Sequence, residues 1–279
     1  MPPPDRSLPQ RPDNREVAAL KLVASEHPEL AAAAAMQIEL VELTRRLQLR
    51  VSTPTLPPPG ERQQRLAAGR RILDFIELSL DWREVRLAVR QTADILHRYE
   101  LLERSDHERL VALVRDEAKL APAVEQWFDS TGAESSDRAP MLDEVLPLAM
   151  RPFLARAAEV AGRGVDLSVW QRPRCPFCTG PPELGVYVAD RQRLLICGRC
   201  AGRWEWDATA CVFCQEHRPS RLPSFLSADR RYRVSACDTC RRYLKAYNAH
   251  GASRPVLPTV DAIATLPLDA AATQRGYAG

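Results

Sequence analysis

All eight cysteines of this 279-residue chain fall between positions 175 and 240, and all stand in Cys-x-x-Cys pairs. The pairs are Cys175/Cys178, Cys197/Cys200, Cys211/Cys214 and Cys237/Cys240. One such pair supplies two sulfurs from a single tight turn, a knuckle. A tetrahedral metal site needs four thiolates at about 2.3 Å, so each knuckle requires a second. The gaps between pairs are eighteen, ten and twenty-two residues. The longer two each suit a pair of short strands leading to another knuckle, the C-x2-C…C-x2-C arrangement of zinc ribbons and rubredoxins. Sequential pairing therefore groups Cys175, Cys178, Cys197 and Cys200 at one site, and Cys211, Cys214, Cys237 and Cys240 at another. A cross-braced scheme closes longer loops, at a difference of only about half a kcal/mol. Locality of the hairpins favours the sequential one.

Other uses of paired cysteines fit less well. A thioredoxin-type motif wants one pair in a βαβ setting. A four-iron cluster more often draws on runs of three close cysteines. The segment "MPPPDRSLPQRPDNRE" has no apolar run of signal-peptide type, and the longest hydrophobic stretch, "AAAAAM", is far too short to span a bilayer. A cytoplasmic setting without membrane insertion is the expectation, and a reducing compartment favours metal or thiol chemistry over disulfides. All-sulfur sites select zinc or iron, and spacing does not separate the two. At the least, such ions act as staples for a small domain. His217, three residues after Cys214, reads as a loop residue because four cysteines already fill each site. No Ser/His/Asp array, phosphate loop or dinucleotide motif stands out, and "GRG" at 162–164 reads as a turn. The expectation is a protein without catalytic residues.

Between 171 and 245 there are fourteen Arg or Lys against seven Asp or Glu, although the whole chain carries only +3. Two divalent ions in eight thiolates bring about −4 by formal charge, which absorbs much of that excess. The case for a nucleic-acid-binding ribbon is thereby weakened, though it stays open beside that of a redox-active rubredoxin-like iron protein.

Ahead of the cysteines the pattern is helical, and the fold class expected is α+β: an N-terminal all-α helical bundle followed by two tandem rubredoxin-like or zinc-ribbon-like metal-binding modules, each with four cysteine ligands. The divisions expected are a disordered tail over 1–15, a helical domain over 16–168, modules over 169–206 and 207–250, and a C-terminal tail over 251–279 packing on them. Five or six helices are expected, with a break at His27-Pro28 and a Pro-rich connector over 52–61. One amphipathic helix is read over 61–79 and another from Asp81 to about Leu102. Ser105 and Glu108 suggest a capping box. A polar loop covers 129–140, and a last helix, bent or interrupted near Pro147 and Pro152, covers 141–161. Short strands are read at "LGVYVAD", "RLLICG", "RWEWDATAC" and "YRVSAC", and a helix at 241–250. Trp204 and Trp206 are expected on opposite strand faces, one on a knuckle and one exposed for binding, with burial of both as the alternative.

The motif set resembles the formate dehydrogenase accessory proteins of the FdhE type. The resemblance lies in Cys175-Pro176-Phe177-Cys178 with Gly180 and Pro182, then Leu195, Cys197, Cys200 and Trp204, then Cys211 and Cys214, and last Cys237, Cys240, Tyr243, Leu244 and Lys245. Leu268-Asp269 and Gly276-Tyr277 match the family's closing stretch. The family's Asp-Asp-Leu-Ala-Ser-Leu block appears here as Asp261-Ala262-Ile263-Ala264-Thr265-Leu266. The resemblance is specific over most of 150–279. It implies a cytoplasmic helper that is not an enzyme, needed for active formate dehydrogenase, contacting its catalytic subunit and carrying iron-associated rubredoxin-like modules. Monomer and homodimer both remain open.

Overall fold

The computed structural model describes residues 12–130, 139–189, 192–250 and 252–279. Residues 1–11 of the expected tail and 131–138 of the expected polar loop lie outside the described residues. The helical half comprises α1 (Pro12–Glu26), α2 (Ala31–Gln48), α3 (Pro59–Ala67), α4 (Trp82–Arg98), α5 (Arg104–Arg115), α6 (Glu117–Asp129), α7 (Pro140–Ala149) and α8 (Arg151–Ala161). Six strands follow: β1 (Pro182–Ala189), β2 (Gln192–Cys197), β3 (Arg203–Asp207), β4 (Ser224–Leu226), β5 (Tyr232–Ala236) and β6 (Tyr243–Asn248). Helices α9 (Pro258–Ala264) and α10 (Leu266–Gln274) close the chain.

Several local expectations change. The first helix starts at Pro12 rather than Glu16, and the helical half holds more helices than five or six. The helix read over 61–79 stops at Ala67, because Gly69 takes a left-handed φ of 67°. Its N–H returns to the Leu66 carbonyl, and that of Arg70 to Arg65, which closes the helix end. Ile72 and Leu73 then follow in an irregular, fully buried segment before a 3-10 turn at Phe75–Leu78. The reciprocal capping pair falls on Asp74 and Glu77 of that turn, not on Ser105 and Glu108; α5 begins at Arg104 without a side-chain cap. The interruption expected within 141–161 is present: α7 ends at Ala149 and α8 starts at Arg151 with Pro152 in its first turn, while Pro147 stays inside α7.

The segment 241–250 carries strand β6, Tyr243–Asn248, rather than a helix. A short apolar run does not fix its own period, and here both edges are claimed. β5 pairs with β6 antiparallel and β1 pairs with it in parallel. In the strand, Tyr243, Lys245 and Tyr247 share one face while Leu244 and Ala246 share the other.

The strand order is β3-β2-β1-β6-β5-β4, antiparallel except at β1/β6. Each module runs knuckle, strand, strand, knuckle, strand, so the second repeats the first. The two join head to tail, the β1 edge of one against the β6 edge of the other. Close approach at this seam suits Gly185, where a Cβ would stand 3.1 Å from that of Ala246. One sheet face, through Leu195, Trp204 and Leu244, enters the same core as α4, α6, α7 and α8. The opposite face, through Val186, Ile196, Tyr232 and Tyr247, is covered by the C-terminal segment with Val256, Ala264 and Leu268. Trp204 and Trp206 are two residues apart and so lie on the same face. Trp204 is buried and Trp206 half-buried against that one core, which corrects the expectation of opposite faces.

Candidate metal centres

The four knuckles share one backbone design. In each, the first cysteine's N–H donates to a carbonyl five residues on: Gly180, Gly202, Glu216 and Arg242. The residue after the second cysteine donates back to the first cysteine's carbonyl, and it stands in the left-handed region: Thr179, Ala201, Gln215 and Arg241 have φ between 55° and 61°. That turn points backbone N–H groups at sulfur. Phe177 N–H reaches Cys175 Sγ at 3.4 Å, Arg199 N–H reaches Cys197 Sγ at 3.3 Å, and Phe213 N–H reaches Cys211 Sγ at 3.4 Å. Donors aimed at sulfur favour thiolate over thiol.

The turns gather the sulfurs into two quartets: Cys175, Cys178, Cys197 and Cys200, and separately Cys211, Cys214, Cys237 and Cys240. Within each, all four sulfurs lie within 4.8 Å of one another. The nearest cross-knuckle pairs are 3.5 Å for Cys175–Cys200 and Cys178–Cys197, 3.8 Å for Cys211–Cys240 and 3.6 Å for Cys214–Cys237. Regular tetrahedral coordination at about 2.3 Å places sulfurs about 3.8 Å apart, so the donor set fits a single zinc or iron ion. A disulfide requires about 2.05 Å, and all eight cysteines are free. A four-iron cluster spreads one thiolate to each iron and needs a wider quartet. His217 is exposed and outside both groups, its ring nitrogen 4.0 Å from Asp207.

The electrostatics show why a cation suits these sites. Burial pushes the Cys175 and Cys200 thiols well above an ordinary thiol. Burial works against the Cys197 thiolate too, yet hydrogen bonds from Cys175, Cys178 and Cys200 carry it well below. The second quartet repeats this: burial raises Cys211 and Cys240, while Cys237, despite burial, is lowered by backbone donors at Cys240 and Thr239 and by its neighbouring thiols. Burial thus opposes gathering negative charge on these sulfurs, and a divalent ion would offset it by displacing thiol protons and supplying positive charge.

Residues not evident in the sequence complete the first site. Arg151, at the start of α8, pairs with Glu183 of β1. Burial opposes its charge, but Glu183 and the Cys197 and Cys200 sulfurs more than offset that. Arg199, inside the second knuckle, lies 4.5 Å over the Trp127 ring and donates to the Phe128 carbonyl and Ser130 hydroxyl. The carbonyls of Pro176 and Phe177 accept from Ile72 and Leu73 N–H. These contacts tie both knuckles to the helical half. A Cβ at Gly202 would stand 2.5 Å from the Phe177 ring and 3.2 Å from Cys200 Sγ; one at Gly180 would stand 2.8 Å from Cys197 Sγ. The repeated Cys-x-x-Cys-x-Gly of these two knuckles was the available signal. Nothing in the sequence marked Arg151 or Arg199.

The second site is dressed by the tail. Tyr243 hydroxyl and Lys245 ammonium both donate to Asp269 of α10, at 2.7 and 2.6 Å. Tyr277 hydroxyl donates to Asp238 inside the fourth knuckle at 2.7 Å, and the Arg241 guanidinium lies 4.3 Å over its ring. Glu216 carboxylate accepts from Arg218 and from Thr239, linking the third knuckle to the fourth.

A helical domain followed by head-to-tail knuckle–hairpin modules, each gathering four cysteine sulfurs, defines a protein with two rubredoxin- or zinc-ribbon-like modules. The crystal structure of the FdhE protein from Pseudomonas aeruginosa has this fold. It matches with a TM-score of 0.64 at 22% identity, over 95% of this chain and 92% of that one. No family model and no curated protein sequence matches the chain. Among the described residues, no helix is long and apolar enough to cross a membrane.

Proposed function

We propose that the protein is a cytoplasmic accessory factor, not itself an enzyme, needed to form active formate dehydrogenase. It binds that enzyme's catalytic subunit through the two-module sheet and its loops. All eight cysteines serve as ligands to two mononuclear ions, iron or zinc. The reading is carried by one coincidence. The residues that resemble the FdhE-type proteins in sequence are those that build the knuckles and lock the tail onto them, in a chain whose fold matches an FdhE protein over 95% of its length.

Co-expression of the tagged protein with a formate dehydrogenase catalytic subunit, followed by affinity capture, tests it. Recovery of the subunit, together with loss of formate oxidation in cells lacking the accessory protein, is the expected result. Full formate dehydrogenase activity in such cells would refute the role. Elemental analysis of protein purified without oxygen should return two equivalents of metal per chain.

A further inference from the structure

The two quartets differ in their surroundings more than in their geometry. Cys175, Cys178 and Cys197 are fully buried and Cys200 is 2% exposed, all within the core cluster shared with the helices. Their knuckles are held from outside by Arg199 on Trp127 and by the backbone bonds from Ile72 and Leu73. In the second quartet Cys214 is exposed and Cys240 half-exposed. Its more buried members, Cys211 and Cys237, line a cleft of about 260 Å³ bounded by Tyr187, Arg193 and Arg233. Where Gly180 and Gly202 bring backbone close around the first site, the matching positions of the second are Glu216 and Arg242. Arg242 lies over Phe213, 3.8 Å from the ring centroid.

We infer that the two sites divide the labour: the first quartet is a permanent clamp between helical half and sheet, and the second is an exchange site for a soft divalent cation. This rests on both quartets holding metal. A competing ligand can approach an exposed thiolate, bond the ion in place of that sulfur and draw it out stepwise, while each released thiolate takes a proton from water. At the first quartet no sulfur is reachable until the seam between helices and sheet opens. Release there is limited by a sub-global opening, which sets its rate apart from that of surface exchange.

The test starts from full-length protein whose metal content has been counted at two equivalents. Fewer than two would refute the ligand assignment itself, before any rate is measured. A chromogenic pyridylazo chelator is then added in excess. One equivalent should leave quickly and the second about a hundredfold or more slowly. Iodoacetamide added after the fast phase, with peptide mapping, should label Cys211, Cys214, Cys237 and Cys240 and spare the other four. The Cys214→Ser variant should lose the fast phase and keep the slow one, with the fluorescence of buried Trp127 and Trp204 unchanged. Both equivalents leaving in a single phase would overturn the inference, as would labelling of Cys175, Cys178, Cys197 or Cys200 during the fast phase. Because labelling is read on the unsubstituted protein, a variant that fails to fold does not decide the outcome.

Discussion

Replacing Asp261 with alanine should cost more stability than the loss of almost any other carboxylate in the chain. Asp261 is fully buried in α9, and its two oxygens accept three bonds: from Tyr232 hydroxyl at 2.7 Å, from the Arg254 guanidinium, and from Leu257 N–H at 2.7 Å. Removing it leaves the tyrosine hydroxyl and the amide without that acceptor, at about 1–3 kcal/mol each. Arg254 is partly exposed, with 26% of its side chain accessible, so water recovers part of its loss. The total is about 3–5 kcal/mol, the range for breaking a buried pair from one side. For a chain of this size that shifts the melting midpoint by roughly 10 °C. Urea and thermal unfolding followed by circular dichroism, on protein with its metal content matched to wild type, reads the effect. Substituting both partners, Asp261→Leu with Arg254→Met, removes the orphaned charge but leaves the Tyr232 hydroxyl and Leu257 N–H without that acceptor, so it should recover only the smaller part of the loss. A single variant within about 1 kcal/mol of wild type would refute the reasoning, because it would mean that the pair does not hold the tail to the sheet.

Two further outcomes follow from the geometry. Gly202→Ala should destabilise by about 1–3 kcal/mol through overpacking against Phe177 and should weaken metal retention at the first site. An unchanged melting midpoint and metal content would mean that the knuckle gives way freely. Burial and the neighbouring carboxylates Asp261 and Asp269 raise the pKa of Tyr232 and Tyr243. A raised folded pKa favours the protonated form, so this stability is complete below about pH 10, the ordinary tyrosine value, and is lost as pH rises further. Urea midpoints should therefore fall on the alkaline side, less steeply for Tyr232→Phe; a slope unaltered by that substitution would rule out the tyrosine as its source.

The sequence by itself determined the local chemistry. Cys-x-x-Cys fixes two sulfurs in one turn whatever surrounds it, so the knuckles and their eight candidate ligands were legible from spacing. Period-two segments at β1, β2, β3 and β5 were legible too, as were the breaks at His27-Pro28 and between the helices of 141–161. What the sequence left undecided were choices in which local preference is nearly balanced and distant partners decide. Residues 241–250 suit a helix in isolation. They become a strand because β1 and β5 present unpaired backbone on both sides, and ladder hydrogen bonds outweigh a weak propensity. The head-to-tail joining of the modules, the clamp of Arg199 on α6 and the meeting of Tyr243 and Lys245 with Asp269 are all long-range contacts. No local pattern encodes their distances. The unequal exposure of two chemically identical quartets is of the same kind: four sulfurs look alike in sequence, and only the packing of helices over one pair of knuckles buries one site and leaves the other at the surface.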